Sequence, residues 1–268
     1  MNLKIALTIA VFLLPFTFSV PLALSEAEHL AAWDYDEQGE DWSMGSCSGK
    51  QQSPINVITK NKKCSSSQIL QVTLNSSLAS EIVDNGHTYE VDGLASRILY
   101  TASSGLVPFE AAQFHFHAPS EHAVDGKHYD LELHIVHKVA SYYESKDTLT
   151  RTLAVVAVLF EVDEQAPSHP FLTAFEQGTS GEDIELNMKE LLNIGGRPEF
   201  YSYPGSLTTP PCNETVNWFI LADIQKMAPT QLDYFAQRWS ENKEFAEGNG
   251  NNRELQPLNG RRIVHGNC

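Results

Sequence analysis

Two short segments, QFHFH at residues 113–117 and LELHIVH at residues 131–137, decide the fold of this chain. In both, apolar residues alternate with polar ones, and a β-strand with this alternation presents the two kinds of side chain on opposite faces. A helix would put His115 and His117 on nearly opposite sides, so that they could not share a ligand. The intervening residues contain the turn signal Asp125-Gly126. The sequence therefore predicts two neighbouring strands with histidines on one face.

Other segments extend this pair into a large β-structure. Strands are predicted at residues 71–74, 87–91, 96–100, 153–162 and 217–222. The run LAVVAVLFEV at 153–162 is apolar almost throughout, which is typical of a strand buried on both faces.

Few helices are expected. One begins at Pro229 and carries apolar residues at helical spacing as far as Trp239, and another covers residues 183–192 before Gly195-Gly196. An Asn- and Gly-rich stretch at residues 244–254 is predicted to be a polar loop. The expected fold class is mixed α/β but β-dominated: a single domain with a large, mostly antiparallel, twisted central sheet and short peripheral helices.

The first 25 residues have the pattern of a secretory signal peptide. Lys4 precedes an apolar run that Pro15 interrupts, and the small residues Ala23 and Ser25 suit cleavage before residue 26. A membrane anchor is the alternative, but the run is short and interrupted for a spanning helix. The expected mature domain is residues 26–268, secreted, or periplasmic in a bacterium, with no membrane anchor after the signal is removed.

Charge and cysteine content narrow the function classes. The formal net charge of -16 should repel nucleic acid phosphates and anionic lipids, so these partners are excluded. Four cysteines in an exported chain indicate disulfides, with three possible pairings, and none forms a Cys-x-x-Cys metal motif. Sequons begin at Asn75 and Asn213 and are candidate glycosylation sites.

The histidines suggest a metal site. If the two strands pair antiparallel, His134 comes opposite His115 and His117, and three imidazoles converge. Three histidines without a fourth protein ligand are typical of catalytic zinc, whose open position takes water. Copper or another divalent ion would also fit imidazole ligands. The spacing favours a metal site, and the alternative is a half-buried hairpin whose histidines pair with acidic neighbours.

Two further residues share the histidine face. Alternation places Gln113 beside His115 and Glu132 beside His134. Their oxygens could accept hydrogen bonds from the outer ring nitrogens and so fix tautomer and orientation. Without a metal they would be ordinary polar residues in a cavity.

Several motifs follow one another along the chain in a set order. They are QSPI at 52–55, NGH at 85–87, QFHFH at 113–117, SEH at 120–122, ELHIVH at 132–137 and YPGSLTTPPC at 203–212. On these motifs the chain resembles the α-class carbonic anhydrases from about Trp33 to Arg262. Ala118-Pro119, after the second histidine, is more similar to algal, plant and bacterial members. The resemblance implies a carbonate dehydratase with one zinc ion per chain, which converts carbon dioxide reversibly to bicarbonate and a proton.

The resemblance also implies a role for each matching residue. His115, His117 and His134 match the zinc ligands. Thr208 matches the threonine that accepts a hydrogen bond from zinc-bound hydroxide. It passes its own proton towards a carboxylate, here Glu121, which aims the hydroxide at carbon dioxide.

Further matches concern the substrate and its proton. The residues that match the carbon dioxide pocket are Val136, Val155, Leu207 and Trp218, with Thr208 and Thr209 beside them. His87 matches the proton shuttle, which must carry one proton to buffer in each cycle, and histidine titrates near that range. Without the resemblance, the Asn-Gly turn before His87 indicates an ordinary surface histidine. Glu90 and Ala112 stand at pocket positions that vary within the family.

Cys47 and Cys212 match a disulfide found in many exported members. Cys64 and Cys268 have no such counterpart, so they pair with each other or Cys268 links two chains, and the chain is expected to be a monomer or a homodimer.

Two other function classes compete with the carbonic anhydrase prediction. Some family members have lost zinc ligands and act as binding modules, but here the ligand set is complete. An unrelated zinc hydrolase would need a carboxylate base beside the metal and a larger cleft, for which the sequence offers no clear sign.

Overall fold

β-Strands account for most of the secondary structure in the computed structural model of this chain. The structure describes residues 33–60, 63–74, 78–93, 96–102, 105–144, 149–178, 183–191, 196–240 and 246–268. The predicted signal peptide at residues 1–25 and the sequon residue Asn75 lie outside these ranges.

The strands are β1 (Asn56–Val57), β2 (Cys64–Ser65), β3 (Leu70–Thr73), β4 (Leu78–Asp84), β5 (Tyr89–Asp92), β6 (Arg97–Ala102), β7 (Gly105–His117), β8 (Ala123–Val124), β9 (Lys127–His128), β10 (Leu131–Val139), β11 (Leu153–Val162), β12 (Asp183–Leu186), β13 (Phe200–Gly205), β14 (Val216–Leu221), β15 (Gln225–Met227) and β16 (Val264–Gly266). The helices are α1 (Ser141–Glu144), α2 (Pro170–Glu176), α3 (Met188–Leu191) and α4 (Pro229–Ser240).

One large sheet runs in the order β12-β4-β5-β7-β10-β11-β14-β13-β16-β2. Strand β6 pairs with β3 and β7, β15 pairs with β11, and a small separate sheet joins β1, β8 and β9. In the large sheet, β11 is parallel to β14 and β15, and β16 is parallel to β2. Its other pairs are antiparallel. The expected fold class is confirmed, and the sheet is mixed rather than purely antiparallel.

The predicted elements are present, with one exception. Strand β11 coincides with the run predicted at residues 153–162, and helix α4 begins at Pro229 as expected. The helix predicted at residues 183–192 is wrong in its first part, which forms β12 and pairs antiparallel with β4. Only α3 is helical. The residues of β12 alternate in polarity, and the neighbouring strand supplies hydrogen-bond partners, so tertiary context overrides a weak helical preference.

The two faces of the central strands carry different side chains. Phe114 and Phe116 of β7 pack with Leu133 of β10 in a large apolar cluster on one face. The opposite face carries a smaller cluster that includes Val155 and Trp218. Because successive side chains alternate, the large cluster anchors β7 and β10 and leaves His115, His117 and His134 on the smaller-cluster face.

All four cysteines form disulfide bonds. The structure joins Cys47 to Cys212, as the resemblance implies, and pairs Cys64 with Cys268 inside the same chain. In this structure Cys268 is therefore bonded within its own chain and does not link two chains. Within the ranges above, no helix has the length and apolar character needed to cross a membrane.

Candidate metal centre

Three histidines converge on one point of the sheet face. Strands β7 and β10 pair antiparallel with His134 directly opposite His115. One ring nitrogen from each of His115, His117 and His134 lies within 4.8 Å of the others. His134 Nδ1 and His115 Nε2 are 3.3 Å apart. His117 and His134 are buried, so the convergence lies beneath the surface.

In each histidine, the ring nitrogen that faces away from the point of convergence lies close to an oxygen atom. His115 Nδ1 lies 2.7 Å from Gln113 Oε1, and His134 Nε2 lies 2.7 Å from Glu132 Oε1. His117 Nδ1 lies 2.7 Å from the backbone oxygen of Asn251. An amide, carboxylate or backbone oxygen can only accept, so these outer nitrogens carry the ring protons. The lone pairs therefore sit on His115 Nε2, His117 Nε2 and His134 Nδ1, which face one another.

This donor set fits a zinc ion. Burial lowers the pKa of His115 well below its usual range, the neighbouring imidazoles lower it further, and burial also lowers the pKa of His117. A lowered pKa favours the neutral form of these two rings, which is the form that binds a metal. His117 Nε2 is buried and has no hydrogen-bond partner within the described ranges. Tetrahedral zinc bound at about 2.0–2.1 Å would hold its ligand nitrogens about 3.3 Å apart, the separation found between His115 and His134.

The carboxylate behind His134 belongs to a longer hydrogen-bond chain. Glu132 also contacts His122 Nδ1 at 2.7 Å, His122 Nε2 lies 2.8 Å from the hydroxyl of Tyr203, and that hydroxyl donates to Ser53 Oγ at 2.8 Å. Although burial acts to raise the pKa of Glu132, the two histidines hold it well below its usual range. The sequence analysis missed this chain, although His122, Tyr203 and Ser53 each lie in a motif that it singled out.

A second carboxylate lies beside the ligands. Glu121 is fully buried, and its Oε2 is 3.5 Å from His117 Nε2 and 3.9 Å from His134 Nδ1. Its Oε1 accepts a hydrogen bond from the backbone nitrogen of Arg253 at 2.9 Å. Oε2 accepts no hydrogen bond from any part of the chain that the structure describes. One oxygen of Glu121 is thus fixed and the other is turned towards the metal centre.

Comparison with known proteins assigns this site to a family. The family model for eukaryotic-type carbonic anhydrases matches residues 37–267. The chain belongs to this family. A carbonic anhydrase of Pectobacterium atrosepticum is 31% identical over 265 residues, covering 92% of this chain and 98% of the relative. Human carbonic anhydrase 6 is 33% identical over 267 residues, covering 90% and 85%.

A solved structure gives the same result. Carbonic anhydrase Cah3 from Chlamydomonas reinhardtii, in complex with acetazolamide, matches with a TM-score of 0.67 and 32% sequence identity, covering 88% of this chain and 99% of that one. The identity is high enough for the likeness to concern the family and not the fold alone. The chain is therefore an enzyme of the carbonic anhydrase class.

An apolar wall adjoins the three histidines of this carbonic anhydrase. It contains Val136, Val155 and Trp218, with Leu207 packed against them. The ring of Trp218 lies 4.8 Å from that of His134, measured between centroids. Thr208, which follows Leu207, is 4% exposed, and Thr209 is partly exposed. The structure thus brings Val136, Val155, Leu207 and Trp218 together on the side of the sheet that carries His134.

His87 lies in the turn between β4 and β5. Its ring is half-buried and stacks on that of Trp33, with centroids 4.0 Å apart and an interplanar angle of 16°. Burial lowers the pKa of His87. The side chain of Asn251 donates to the backbone oxygen of His87 at 2.9 Å, so the residue that backs His117 also holds the His87 turn.

The polar stretch predicted at residues 244–254 contributes more than its composition indicated. Asn251 and Arg253 are almost completely buried, and the guanidinium of Arg253 donates to Gln52 Oε1 at 2.8 Å. Gly250 allows this approach, because a Cβ at that position would lie 2.3 Å from the backbone oxygen of Ala118. Polar composition indicates a loop but does not show that its side chains turn inward, so the sequence analysis missed both residues.

Proposed function

We propose that this enzyme catalyses the reversible hydration of carbon dioxide to bicarbonate and a proton, using one zinc ion bound by His115, His117 and His134. The main observation in support is that three imidazole nitrogens converge on one point, while the other nitrogen of each ring faces an acceptor oxygen. In carbonic anhydrases, zinc bound by three histidines supplies an acidified water that is nucleophilic near neutral pH.

Thr208 and Glu121 orient the nucleophile. In the proposed active form, the Thr208 hydroxyl donates its proton to Glu121 Oε2, a bond that is not present among the described residues. The oxygen of Thr208 can then only accept a hydrogen bond from the nucleophile. That constraint directs the nucleophile's remaining lone pair at the substrate, which is an effect of orientation. The proposal is supported by the burial of both residues and by an Oε2 atom to which no described residue donates.

The apolar wall receives carbon dioxide. The substrate is small and uncharged, so a surface without hydrogen-bond donors holds it while disfavouring competing water. Val136, Val155, Leu207 and Trp218 provide such a surface next to His134. The product is an anion that interacts poorly with this wall, which favours its release.

His87 carries the proton to bulk buffer. A proton must leave the site in every hydration cycle, and a histidine can take it up at one ring nitrogen and release it from the other. The half-buried ring beside Trp33 and its lowered pKa support this role, because a weaker base releases its proton more readily.

The first prediction tests the proposed function itself. The mature protein, residues 26–268, should bind about one zinc per chain and accelerate carbon dioxide hydration. Metal analysis and a stopped-flow assay with a pH indicator, run on one preparation, measure both properties. Removal of zinc by a chelator should abolish the acceleration, and added zinc should restore it. A zinc-loaded protein that gives only the uncatalysed rate contradicts the proposal.

The second prediction concerns the shuttle. His87→Ala should lower the hydration rate about 100-fold at low buffer concentration, because proton removal becomes limiting. Added imidazole should restore the rate by carrying the proton in place of the side chain. His128→Ala is the matched control, since His128 is exposed and lies on β9, outside the metal centre. An unchanged rate for His87→Ala at low buffer would remove His87 from this role.

We further propose that the enzyme is exported. Its cysteines are paired in disulfide bonds, which persist in oxidising compartments. Residues 1–25 act as the signal peptide in this proposal. Asn213 is exposed and available for glycosylation, and Asn75 is a second sequon.

A further inference from the structure

Glu90 links the metal centre to the His87 turn through two side-chain amides. It lies on β5, where its backbone is paired with that of His115 on β7. Its Oε2 accepts hydrogen bonds from Gln113 Nε2 at 3.2 Å and from Asn85 Nδ2 at 3.4 Å. One carboxylate oxygen of Glu90 thus contacts two amides. The first belongs to Gln113, which lies behind His115, and the second to Asn85, which begins the turn that carries His87.

A carboxylate imposes a direction on both amides. An amide side chain has a donor end and an acceptor end of nearly equal size, so either could face a neutral partner. An ionised carboxylate only accepts, and therefore selects the NH₂ ends of Gln113 and Asn85. Their oxygens must then point the opposite way. A carboxylate is also a stronger acceptor than a neutral oxygen, which favours this orientation.

The selected orientation of Gln113 determines the tautomer of His115. Gln113 Oε1 faces His115 Nδ1 at 2.7 Å and can only accept, so Nδ1 carries the ring proton. The lone pair is then left on Nε2, the atom that converges with the other ligands. If the Gln113 amide were reversed, its NH₂ would face Nδ1 and favour a proton on Nε2, where it would oppose a metal.

The orientation of Asn85 has a parallel effect on the turn. Asn85 Oδ1 accepts hydrogen bonds from the backbone nitrogens of His87 at 3.0 Å and Thr88 at 2.9 Å. These bonds require the amide oxygen to face the backbone, which is the arrangement that Glu90 favours by taking the NH₂ end. The same carboxylate therefore supports the backbone from which His87 projects.

We propose that Glu90 is a positioning residue that sets the His115 tautomer through Gln113 and supports the His87 turn through Asn85. The effect of Glu90 on zinc binding rests on the proposed function. Its effect on the orientation of the Gln113 and Asn85 amides does not. Glu90 acts only through other residues and touches no reacting atom in this scheme.

Three variants test the proposal at pH 8, a high value chosen because burial raises the pKa of Glu90 and the argument concerns its ionised form. Glu90→Leu removes the acceptor at similar size, and Glu90→Gln keeps a neutral acceptor oxygen. Glu110→Leu is the matched control. It makes the same glutamate-to-leucine change at an exposed site on β7, where Glu110 pairs with Arg97. Thermal unfolding of each variant establishes that it is folded before the other measurements are compared.

Zinc affinity, measured by competition with a chelator, is the first readout. Outer partners of metal ligands typically change affinity about 10- to 100-fold, and Glu90 acts one step further out, so about a tenfold loss is expected for Glu90→Leu. Glu90→Gln should lose less, and Glu110→Leu should match the original protein. A folded Glu90→Leu protein with unchanged zinc affinity overturns the link to metal binding.

The second readout does not depend on zinc. Nitrogen NMR of the full mature chain, labelled at histidine and freed of metal, reports which nitrogen of His115 carries the proton. The original protein should show the Nδ1-protonated form, and Glu90→Leu should show a mixture. A single Nδ1-protonated form in Glu90→Leu overturns the proposal. If the original protein bound no zinc but showed this tautomer difference, the proposed function would fail while the role of Glu90 in orientation would stand.

Discussion

Replacing His117 by alanine is expected to abolish carbon dioxide hydration at limiting zinc and to weaken zinc binding by about 10²- to 10³-fold. The estimate follows from the apparent affinity of four-ligand structural zinc sites, about 10–16 kcal/mol, which makes one ligand worth about 2.5–4 kcal/mol. His117 is a suitable ligand to test because its Nε2 is buried without a hydrogen-bond partner within the described ranges. The substitution therefore removes a proposed metal ligand and, among the described residues, breaks the outer hydrogen bond to Asn251.

Two measurements check this result. Chelator competition gives the zinc dissociation constant, and the stopped-flow hydration assay gives the rate at defined free zinc. His265→Ala serves as the control, because His265 lies on β16, several strands from β7 in the sheet. It should leave both quantities unchanged. Wild-type zinc affinity in a folded His117→Ala protein would show that the metal is bound elsewhere.

Removal of the Cys47–Cys212 disulfide should produce a large loss of stability. The two cysteines are separated by 165 residues, and cross-linking a loop of that length lowers the entropy of the unfolded chain enough to stabilise the fold by about 5 kcal/mol. The double variant Cys47→Ser, Cys212→Ser should lose about that much free energy of unfolding, measured by chemical denaturation.

The same disulfide should also affect catalysis. Cys212 ends the segment that carries Thr208, and the bond ties this segment to the N-terminal part of the chain. Ser46 donates a backbone hydrogen bond to the oxygen of Pro211 at 2.8 Å, which provides only part of the same attachment. With the disulfide removed, Thr208 should be less well positioned and kcat/KM should fall.

The second disulfide is a matched control. Cys64 and Cys268 are 204 residues apart, so the same argument predicts a similar loss of stability when both become serine. This pair joins β2 to the chain end after β16, at the edge of the sheet. Its removal should leave kcat/KM unchanged in the folded protein. Equal effects of both double variants on kcat/KM would contradict a specific role of Cys47–Cys212 at the site.

Much of the metal centre was predictable because it depends on local patterns. The alternation in QFHFH requires that His115 and His117 share a face whenever the segment is a strand, whatever lies around it. The same argument assigns Gln113 and Glu132 to the face of their neighbouring histidines. The family motifs supplied what alternation could not, namely expectations about Thr208, Glu121 and His87.

Other features could not be predicted from local patterns. The first part of the predicted helix at residues 183–192 became β12, because a partner strand outweighed a weak local preference. The burial of Asn251 and Arg253 depends on Gly250 packing against Ala118, more than a hundred residues away in sequence. No composition rule distinguishes such a loop from an exposed one.

The sequence by itself determined which side chains can share a face, because side-chain direction in a strand has a period of two residues. It therefore determined the identity of the candidate ligands. Only the tertiary structure decided that His134 lies opposite His115, that Asn251 backs His117 and that Glu90 holds two amides. These relations depend on strand register and on contacts between distant segments, which arise when the hydrophobic core packs and are not set by any local pattern.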